Sequence, residues 1–146
     1  MYTISKEATK IFCLLLGKLG NRQNINITGH RFPPLYFEKL TGEVCWQGKK
    51  LTCYLLAHIY KGQQKKQVKN PCMSFLVLDR RLEIDDTAIF VYPQSLVKGG
   101  MTEPNGEEAA HVEYGQIIHF NPKRQQDQAR YAFTWLRTLR RQKYFA

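Results

Sequence analysis

The spacing of apolar residues changes along this chain from helical to alternating and back to helical, and this order restricts the folds it can adopt. At the C-terminal end, residues 121–145 open with Asn121 and Pro122, which favour the N-cap and the first position of a helix. Apolar side chains then recur at helical spacing, with Trp135 at the edge of the face that they form: Ala129, Ala132, Phe133, Leu136 and Leu139. This pattern predicts a C-terminal amphipathic helix.

A second helix is predicted at the N-terminal end, over residues 4–19. Its apolar residues fall on one face of a helix: Ile4, Ala8, Ile11, Phe12, Leu15 and Leu19. Ser5 or Thr3 can cap its first turn, and Gly20 with Asn21 favours its end.

Between the two helices the pattern alternates, which is typical of strands. Six strands are predicted, at residues 35–40, 44–47, 51–60, 73–78, 87–92 and 112–120. Turns at residues 41–43 and 48–50 are short enough for hairpins, residues 61–71 read as a long hairpin tip, and residues 21–31 and 98–110 read as loops. Strands grouped between terminal helices favour an α+β fold. We therefore predict a single domain over residues 1–146, an antiparallel meander of five or six strands with both helices on one face.

The formal net charge of +10 is unevenly distributed. Six lysines and no acidic residue lie within residues 44–78: Lys49, Lys50, Lys61, Lys65, Lys66 and Lys69. From residue 121 onward, seven basic residues accompany only Asp127. Lysine and arginine in such clusters hold phosphates. The candidate nucleic-acid contacts are the lysines of the hairpin tip and an arginine row on the C-terminal helix, namely Lys61, Lys65, Lys66, Lys69, Arg130, Arg137 and Arg141. Tyr131 and Tyr144 are expected to be exposed aromatic neighbours.

Two classes of binding protein fit this charge distribution, and the sequence leaves both open. The first binds DNA or RNA, although no helix-turn-helix, zinc-finger or RNA-recognition signature is present. The second docks an acidic protein, or a second copy of the chain through an exposed strand edge. An enzyme is the least favoured class, because no nucleophile, base and stabilising group come together in the pattern.

The residues that bind metals or transfer protons form no recognisable site, and no cofactor is predicted. Glu107 and Glu108 precede His111 at a spacing that metal-binding helices use, but the segment is predicted to be a loop. His58 and His119 lie in predicted strands and could face each other across the sheet. The carboxylates of Asp79, Glu83, Asp85 and Asp86 surround Arg80 and Arg81, which favours a solvated turn with internal charge pairs.

Four cysteines, Cys13, Cys45, Cys53 and Cys72, are scattered without a paired motif. Cys45 and Cys53 flank a predicted hairpin, so a cross-strand disulfide is conceivable, but reduced packed cysteines are the preferred interpretation. No apolar run reaches the roughly 18–20 residues that span a bilayer, and no signal-peptide cleavage pattern follows the run at residues 11–16. The sequence therefore predicts a cytoplasmic protein without a membrane partner.

Four stretches together resemble an uncharacterised domain family associated with bacterial plasmids and conjugative elements. They are ATKIFCLLL at residues 8–16, LLAHIYKG at 55–62, NPCMSFLVLD at 70–79 and RQQDQARYAFTWLRTLRRQ at 124–142. The family has no assigned activity, so the resemblance implies a fold and a bacterial mobile-element setting. The family pattern has a Gly-Asp and a further acidic residue in the hairpin, whereas this chain has Lys65, Lys66 and Asn70 there. Any chemistry that acidic residues perform in relatives is thus absent here.

Overall fold

The computed structural model describes residues 1–28, 31–62, 66–99 and 106–146. Within these ranges the chain forms two helices and eight strands. Their bounds are Lys6–Leu19 (α1), Asn24–Ile27 (β1), Leu35–Trp46 (β2), Lys49–Lys61 (β3), Gln67–Asp79 (β4), Ile89–Val97 (β5), Glu107–Glu108 (β6), Ala110–Glu113 (β7), Gln116–Phe120 (β8) and Pro122–Arg141 (α2). None of the described helices is long and apolar enough to cross a membrane.

Helix α1 confirms the N-terminal prediction. The Ser5 side chain accepts a hydrogen bond from the Ala8 backbone N–H at 3.1 Å, which caps the first turn. Gly20 ends the helix with a φ of 56°, and its N–H donates to the Leu16 carbonyl. Every residue of the predicted apolar face is buried, at positions 4, 8, 11, 12, 15 and 19.

Helix α2 begins as predicted but buries a different arc of its surface. Asn121 accepts a hydrogen bond from the Arg124 N–H at 3.0 Å, and Pro122 occupies the first turn. Trp135, predicted at the edge of the apolar face, is buried, whereas Phe133 is only half-buried. The buried face of α2 is therefore rotated toward Trp135 relative to the predicted face. It also includes two amide side chains, Gln125 and Gln128.

Those two glutamines fasten α2 to the strands beneath it. Gln125 donates to the Pro93 carbonyl at 3.0 Å and accepts from the Tyr2 N–H at 2.7 Å, which ties the helix to β5 and to the N-terminal segment. Gln128 donates to the Glu107 carbonyl at 2.8 Å, which ties it to β6. Buried amides need such partners, since an unpaired polar group would cost about 1–3 kcal/mol.

The prediction of five or six strands in a meander is wrong, because the sheet has eight strands among the described residues and curls into a nearly closed barrel. The strand order is β6-β5-β4-β3-β2-β8-β7, with β1 paired to β2 beside this path. β2 and β8 pair in parallel, and the other pairs are antiparallel. Residues 107–113 join the two ends of this strand order and so close the barrel. β6 pairs with β5 at one end, and β7, which follows Ala109, pairs with β8 at the other.

Local backbone geometry explains where the strand predictions failed. Residues 41–43 were expected to form a hairpin, but they form a bulge within β2, where Gly42 has a φ of 90° and the register to β3 shifts. The predicted strand at 112–120 is a hairpin that turns at Tyr114 and Gly115, both with positive φ. Residues 24–27, expected in a loop, form β1 along β2. The hairpin predicted near residues 48–50 is confirmed, with Gln47 and Gly48 as its turn.

Two apolar cores lie on opposite faces of the curled sheet. The larger core packs both helices against one face of the strands, around Phe12, Phe37 and Phe75. The smaller core lies on the other face and joins β2 to β5 with β7 and β8, including Leu51, Cys53 and Leu76. β3, whose apolar residues fall on both parities, is therefore covered on both faces for much of its length. The prediction that both helices pack on the same side is confirmed.

Candidate nucleic-acid interface

A groove of about 790 Å³ lies where the β3–β4 hairpin extends past the start of β2. Residues 26–28 and 31–34 contribute to one wall, and the ends of β3 and β4 form the other. Its lining residues come from four separate segments: Asn26, Thr28, Arg31, Phe32, Pro33, Pro34, Tyr36, Ile59, Tyr60, Lys61, Gln67 and Lys69. Strand pairing builds the second wall, since Lys61 lies opposite Gln67 and Ile59 lies opposite Lys69.

The groove is positively charged. Arg31, Lys61 and Lys69 line it, and its lining residues include no carboxylate. The Lys69 ammonium lies 5.2 Å from the ring centre of Tyr36, and the Arg31 guanidinium lies 6.0 Å from that of Phe32. Both are within reach of a cation–π attraction, which holds the cations at the aromatic walls. The arrangement places cations around a concave surface large enough for a small anionic ligand.

Three aromatic side chains alternate with these cations. Phe32 is 37% exposed and Tyr60 is 44% exposed, so both present ring surface to solvent. Tyr36 is half-buried, and its hydroxyl donates to Glu38 at 2.8 Å. Burial, followed by that hydrogen bond, raises the pKa of Tyr36. The phenol therefore stays neutral at physiological pH and adds no negative charge to the groove.

A second cavity, of about 320 Å³, lies between α2 and the end of β5. Lys98 and Arg130 line it together with Glu107 and Asp127, so its charge is mixed. The Lys98 ammonium lies 5.3 Å from the ring centre of Tyr131. Burial, with a smaller contribution from Tyr60, raises the pKa of Tyr131.

The arginine row predicted on α2 is engaged in contacts within the chain. Arg130 pairs with Asp127 at 3.1 Å. Arg137 lies 3.6 Å from Glu7 of α1, and Arg140 lies 2.8 Å from the same carboxylate. The Arg141 guanidinium donates to the Thr138 hydroxyl at 3.2 Å.

Only Arg130 of that row lines one of the two cavities. Tyr131 and Arg137 lie about 120° apart around the helix, at 100° per residue. Arg137 is thereby turned toward α1. The row is a set of exposed, partly neutralised charges rather than one continuous anion-binding edge.

The lysines of the hairpin also separate into groups. Lys61 and Lys69 line the groove, whereas Lys66 lies in the turn, where its carbonyl accepts from the Gly62 N–H at 2.7 Å. Lys65 lies outside the described residues. Tyr144, expected to be exposed, is buried, and its hydroxyl donates to the Pro33 carbonyl at 2.6 Å. This contact holds the first wall of the groove against the C-terminal segment.

Sequence reasoning missed the residues of the β1–β2 wall, above all Arg31 and Phe32. They lie in a segment without periodicity, which was interpreted as a loop. The sequence predicts Lys61 and Lys69 in a long hairpin tip, whereas β4 begins at Gln67 and pairs this residue with Lys61. Nothing in the local pattern indicates that residues 31–34 lie against the second wall, because that contact depends on β1 folding back along β2.

The histidines do not form the arrangement considered from the sequence. His119 lies opposite His111, with ring centres 5.3 Å apart, whereas His58 lies opposite Leu35. The expectation that His58 and His119 face each other is therefore wrong. His30 lies outside the described residues.

His111 sits between two carboxylates, Glu108 at 2.9 Å and Glu113 at 3.0 Å. Its hydrogen bonds to Glu113 and Glu108 raise the pKa of this imidazole. Among the described residues, no group of three or more His, Cys, Asp or Glu side chains is placed to hold a metal ion.

The remaining candidates have structural explanations. Arg80 pairs with Glu83 at 3.0 Å and Arg81 pairs with Asp79 at 2.8 Å, as expected for a turn with internal charge pairs. All four cysteines are free thiols. Cys45 lies opposite Lys50 and Cys53 lies in the smaller core, so the disulfide considered between them is not formed. Burial raises the pKa of the Cys53 thiol to about 11, which leaves it unreactive.

No protein-family model matches the chain, and no curated protein sequence or solved structure is found to be similar to it.

Proposed function

We propose that this chain is a non-enzymatic nucleic-acid-binding protein whose groove between the β1–β2 segment and the β3–β4 hairpin holds the phosphate backbone. We further propose that it serves as an accessory module of a bacterial mobile element, a setting that rests on the resemblance of the four sequence stretches quoted above. The charge distribution supports binding to a polyanion, and the described residues that line the groove include no histidine, cysteine or carboxylate that could act as a catalytic nucleophile or base.

The observation that carries the proposal is the charge of the groove. Three cations, Arg31, Lys61 and Lys69, converge on one concave surface whose lining contains no acidic side chain. Arginine contributes bidentate hydrogen bonds to phosphate oxygens, and lysine contributes a mobile point charge. The chain as a whole carries a net charge of +10, which attracts a polyanion from a distance.

The test is a fluorescence-anisotropy titration with random-sequence duplex DNA, single-stranded DNA and RNA, at low and at physiological salt. Binding through phosphates should weaken linearly on a plot of log affinity against log salt. The double variant Lys61→Glu/Lys69→Glu should weaken binding at least about tenfold and reduce the salt slope by about 1 per lost contact.

The matched control is Lys49→Glu/Lys50→Glu, which changes the net charge equally at the opposite end of β3. These lysines are exposed, and about 40 Å of strand separates them from Lys61 at 3.3 Å per residue. If binding depends on net charge alone, both double variants lose affinity equally, and the groove is not the site. Absence of binding to all three nucleic acids at low salt would remove the proposal altogether.

A second candidate function is self-association through β1, which corresponds to the protein-interaction reading of the sequence. Among the described strands, β1 pairs with β2 alone, so hydrogen-bonding groups remain along its other side. Such an edge can pair with a second copy of the chain. Light scattering after size-exclusion chromatography tests this, since the edge model requires a dimer. Asn24→Pro or Asn26→Pro should break that dimer, because the N–H groups of these two residues face away from β2.

A further inference from the structure

We propose that the ligand of this groove is unpaired nucleic acid, one or two of whose bases stack on Tyr60 and Phe32 while Arg31, Lys61 and Lys69 hold the flanking phosphates. This inference rests on the proposed function and specifies its ligand. It predicts discrimination against duplexes and a contribution from base stacking that charge alone does not provide.

The rings of Phe32 and Tyr60 are exposed at the walls of the groove. Large aromatic side chains normally bury most of their surface, yet Phe32 and Tyr60 are 37% and 44% exposed at the walls of the same groove. The ring centre of Phe32 lies 6.4 Å from that of buried Tyr144, which supports Phe32 on one side. Tyr60 lies opposite Val68 in the β3–β4 pairing, which fixes its backbone.

Aromatic rings and cations line the same groove. Proteins that bind single strands without sequence preference combine a positive groove with aromatic platforms, because every base presents a π-face. Here Arg31 adjoins Phe32 in sequence, and Lys61 adjoins Tyr60. Because these cations and both rings line the same groove, a phosphate held by either cation would leave its nucleoside within the groove.

The size of the groove also fits unpaired nucleic acid. Its volume of about 790 Å³ accommodates one or two nucleotides but not the cross-section of a duplex. In a duplex the bases are stacked on one another and shielded by the two backbones, so Tyr60 and Phe32 could reach no base face. A duplex could use the cations alone, which predicts weaker binding for an equal number of phosphates.

The experiment compares three probes of about twelve nucleotides on the full chain at fixed salt. They are a single-stranded oligothymidine, an abasic deoxyribose-phosphate strand of the same length and charge, and a duplex. We expect the oligothymidine to bind at least about fivefold more tightly than the abasic strand, since stacking on one ring is worth that factor or more. The duplex should also bind more weakly than the oligothymidine.

Two variants connect the preference to the rings. Tyr60→Leu and Phe32→Leu each keep apolar bulk and remove the aromatic face. Each should weaken oligothymidine binding at least about fivefold, so that its affinity approaches that of the abasic strand. Tyr114→Leu is the matched control, because Tyr114 is fully exposed on the β7–β8 turn and is not part of the groove. It should leave all three affinities unchanged.

The outcomes separate this inference from the function on which it rests. Equal binding of the oligothymidine and abasic strands overturns the stacking inference even if the Lys61→Glu/Lys69→Glu variant still weakens binding, which leaves a phosphate-binding protein. Tighter binding of the duplex than of the single strand also overturns it. Failure of every probe to bind overturns the proposed function itself. The comparison of probes on the wild-type chain remains decisive if a variant does not fold.

Discussion

His58 is a residue whose ionisation is coupled to packing. It is 8% exposed, lies 5.7 Å from both Trp135 and Tyr144 by ring centres, and its Nδ1 has no hydrogen-bond partner among the described residues. Burial lowers the pKa of His58 below its ordinary value of 6.5, although the carbonyl groups of Pro33 and Pro34 partly oppose this. A proton on this ring would therefore charge a buried aromatic cluster.

The consequence is a loss of stability on acidification. The unfolded chain binds the His58 proton near pH 6.5 and the folded chain only at lower pH, so the unfolded state carries more protons in that interval. The contribution of His58 is fully present above pH 6.5 and declines as the pH falls below it, by at most about 1.4 kcal/mol per pH unit. Urea unfolding from about pH 7.5 to pH 5 should show this decline, and His58→Gln should flatten it.

His111→Gln provides the control, because His111 shifts in the opposite direction. Its raised pKa contributes stability that is present below pH 6.5 and lost as the pH rises through the folded value. Removing it should not flatten the decline on acidification. If His111→Gln does so and His58→Gln does not, the assignment of the pH dependence to the buried ring is wrong.

At the scale of elements, closure of the barrel depends on the short strand β6. Its two residues pair with Leu96 and Ser95 of β5. The Gln128 side chain of α2 donates a hydrogen bond to the backbone carbonyl of Glu107 in β6. Gly106 immediately precedes β6 with a φ of 63°. A Cβ at this position would overlap the Leu96 carbonyl oxygen and the Val97 side chain. Glycine is required here for close approach as well as for its backbone conformation.

We expect Gly106→Ala to lower the free energy of unfolding by about 3 kcal/mol, the sum of a left-handed strain and a backbone clash. Gly48→Ala is the matched control: Gly48 has a φ of 74°, but a Cβ there would meet nothing within 4 Å. It should cost only about 1–2 kcal/mol. Urea denaturation of both variants measures the difference, and equal losses would show that closure through β6 does not depend on this contact.

At the scale of the whole molecule, five cations line the two cavities, three in the groove and Lys98 and Arg130 in the second cavity. Tyr60 of the groove contributes, after burial, to raising the pKa of Tyr131 in the second cavity. We expect a strand that leaves the groove at Tyr60 to continue to Lys98 and Arg130.

This arrangement predicts that the salt slope depends on the length of the ligand. Three phosphate contacts on a single strand give a slope of about −2, and five give about −3.5. Oligothymidines of about four nucleotides should therefore show the smaller slope and those of about twelve the larger. Arg130→Gln should reduce the slope for the long strand only. Equal slopes at both lengths would confine binding to the groove.

Local patterns in the sequence determined the two helices and the central strands. Both helices have strong caps, at Ser5 and at Asn121, and apolar residues at a spacing that only a helix places on one side. β3 has apolar residues on both parities, which indicated a strand covered on both faces. Such features are set by neighbours a few residues away, so they can be interpreted without the rest of the chain.

The tertiary structure alone decided how the sheet closes and which charges remain available. Closure results from the bulge at Gly42 and the bend at Ala109, which redirect strands toward partners far along the chain. Arg137 is partly neutralised by Glu7, which lies 130 positions away. Arg31 and Lys61 line the same groove only because β1 folds back along β2. Periodicity reports which face of an element is buried but not what lies against it, because that choice depends on the packing of the whole chain.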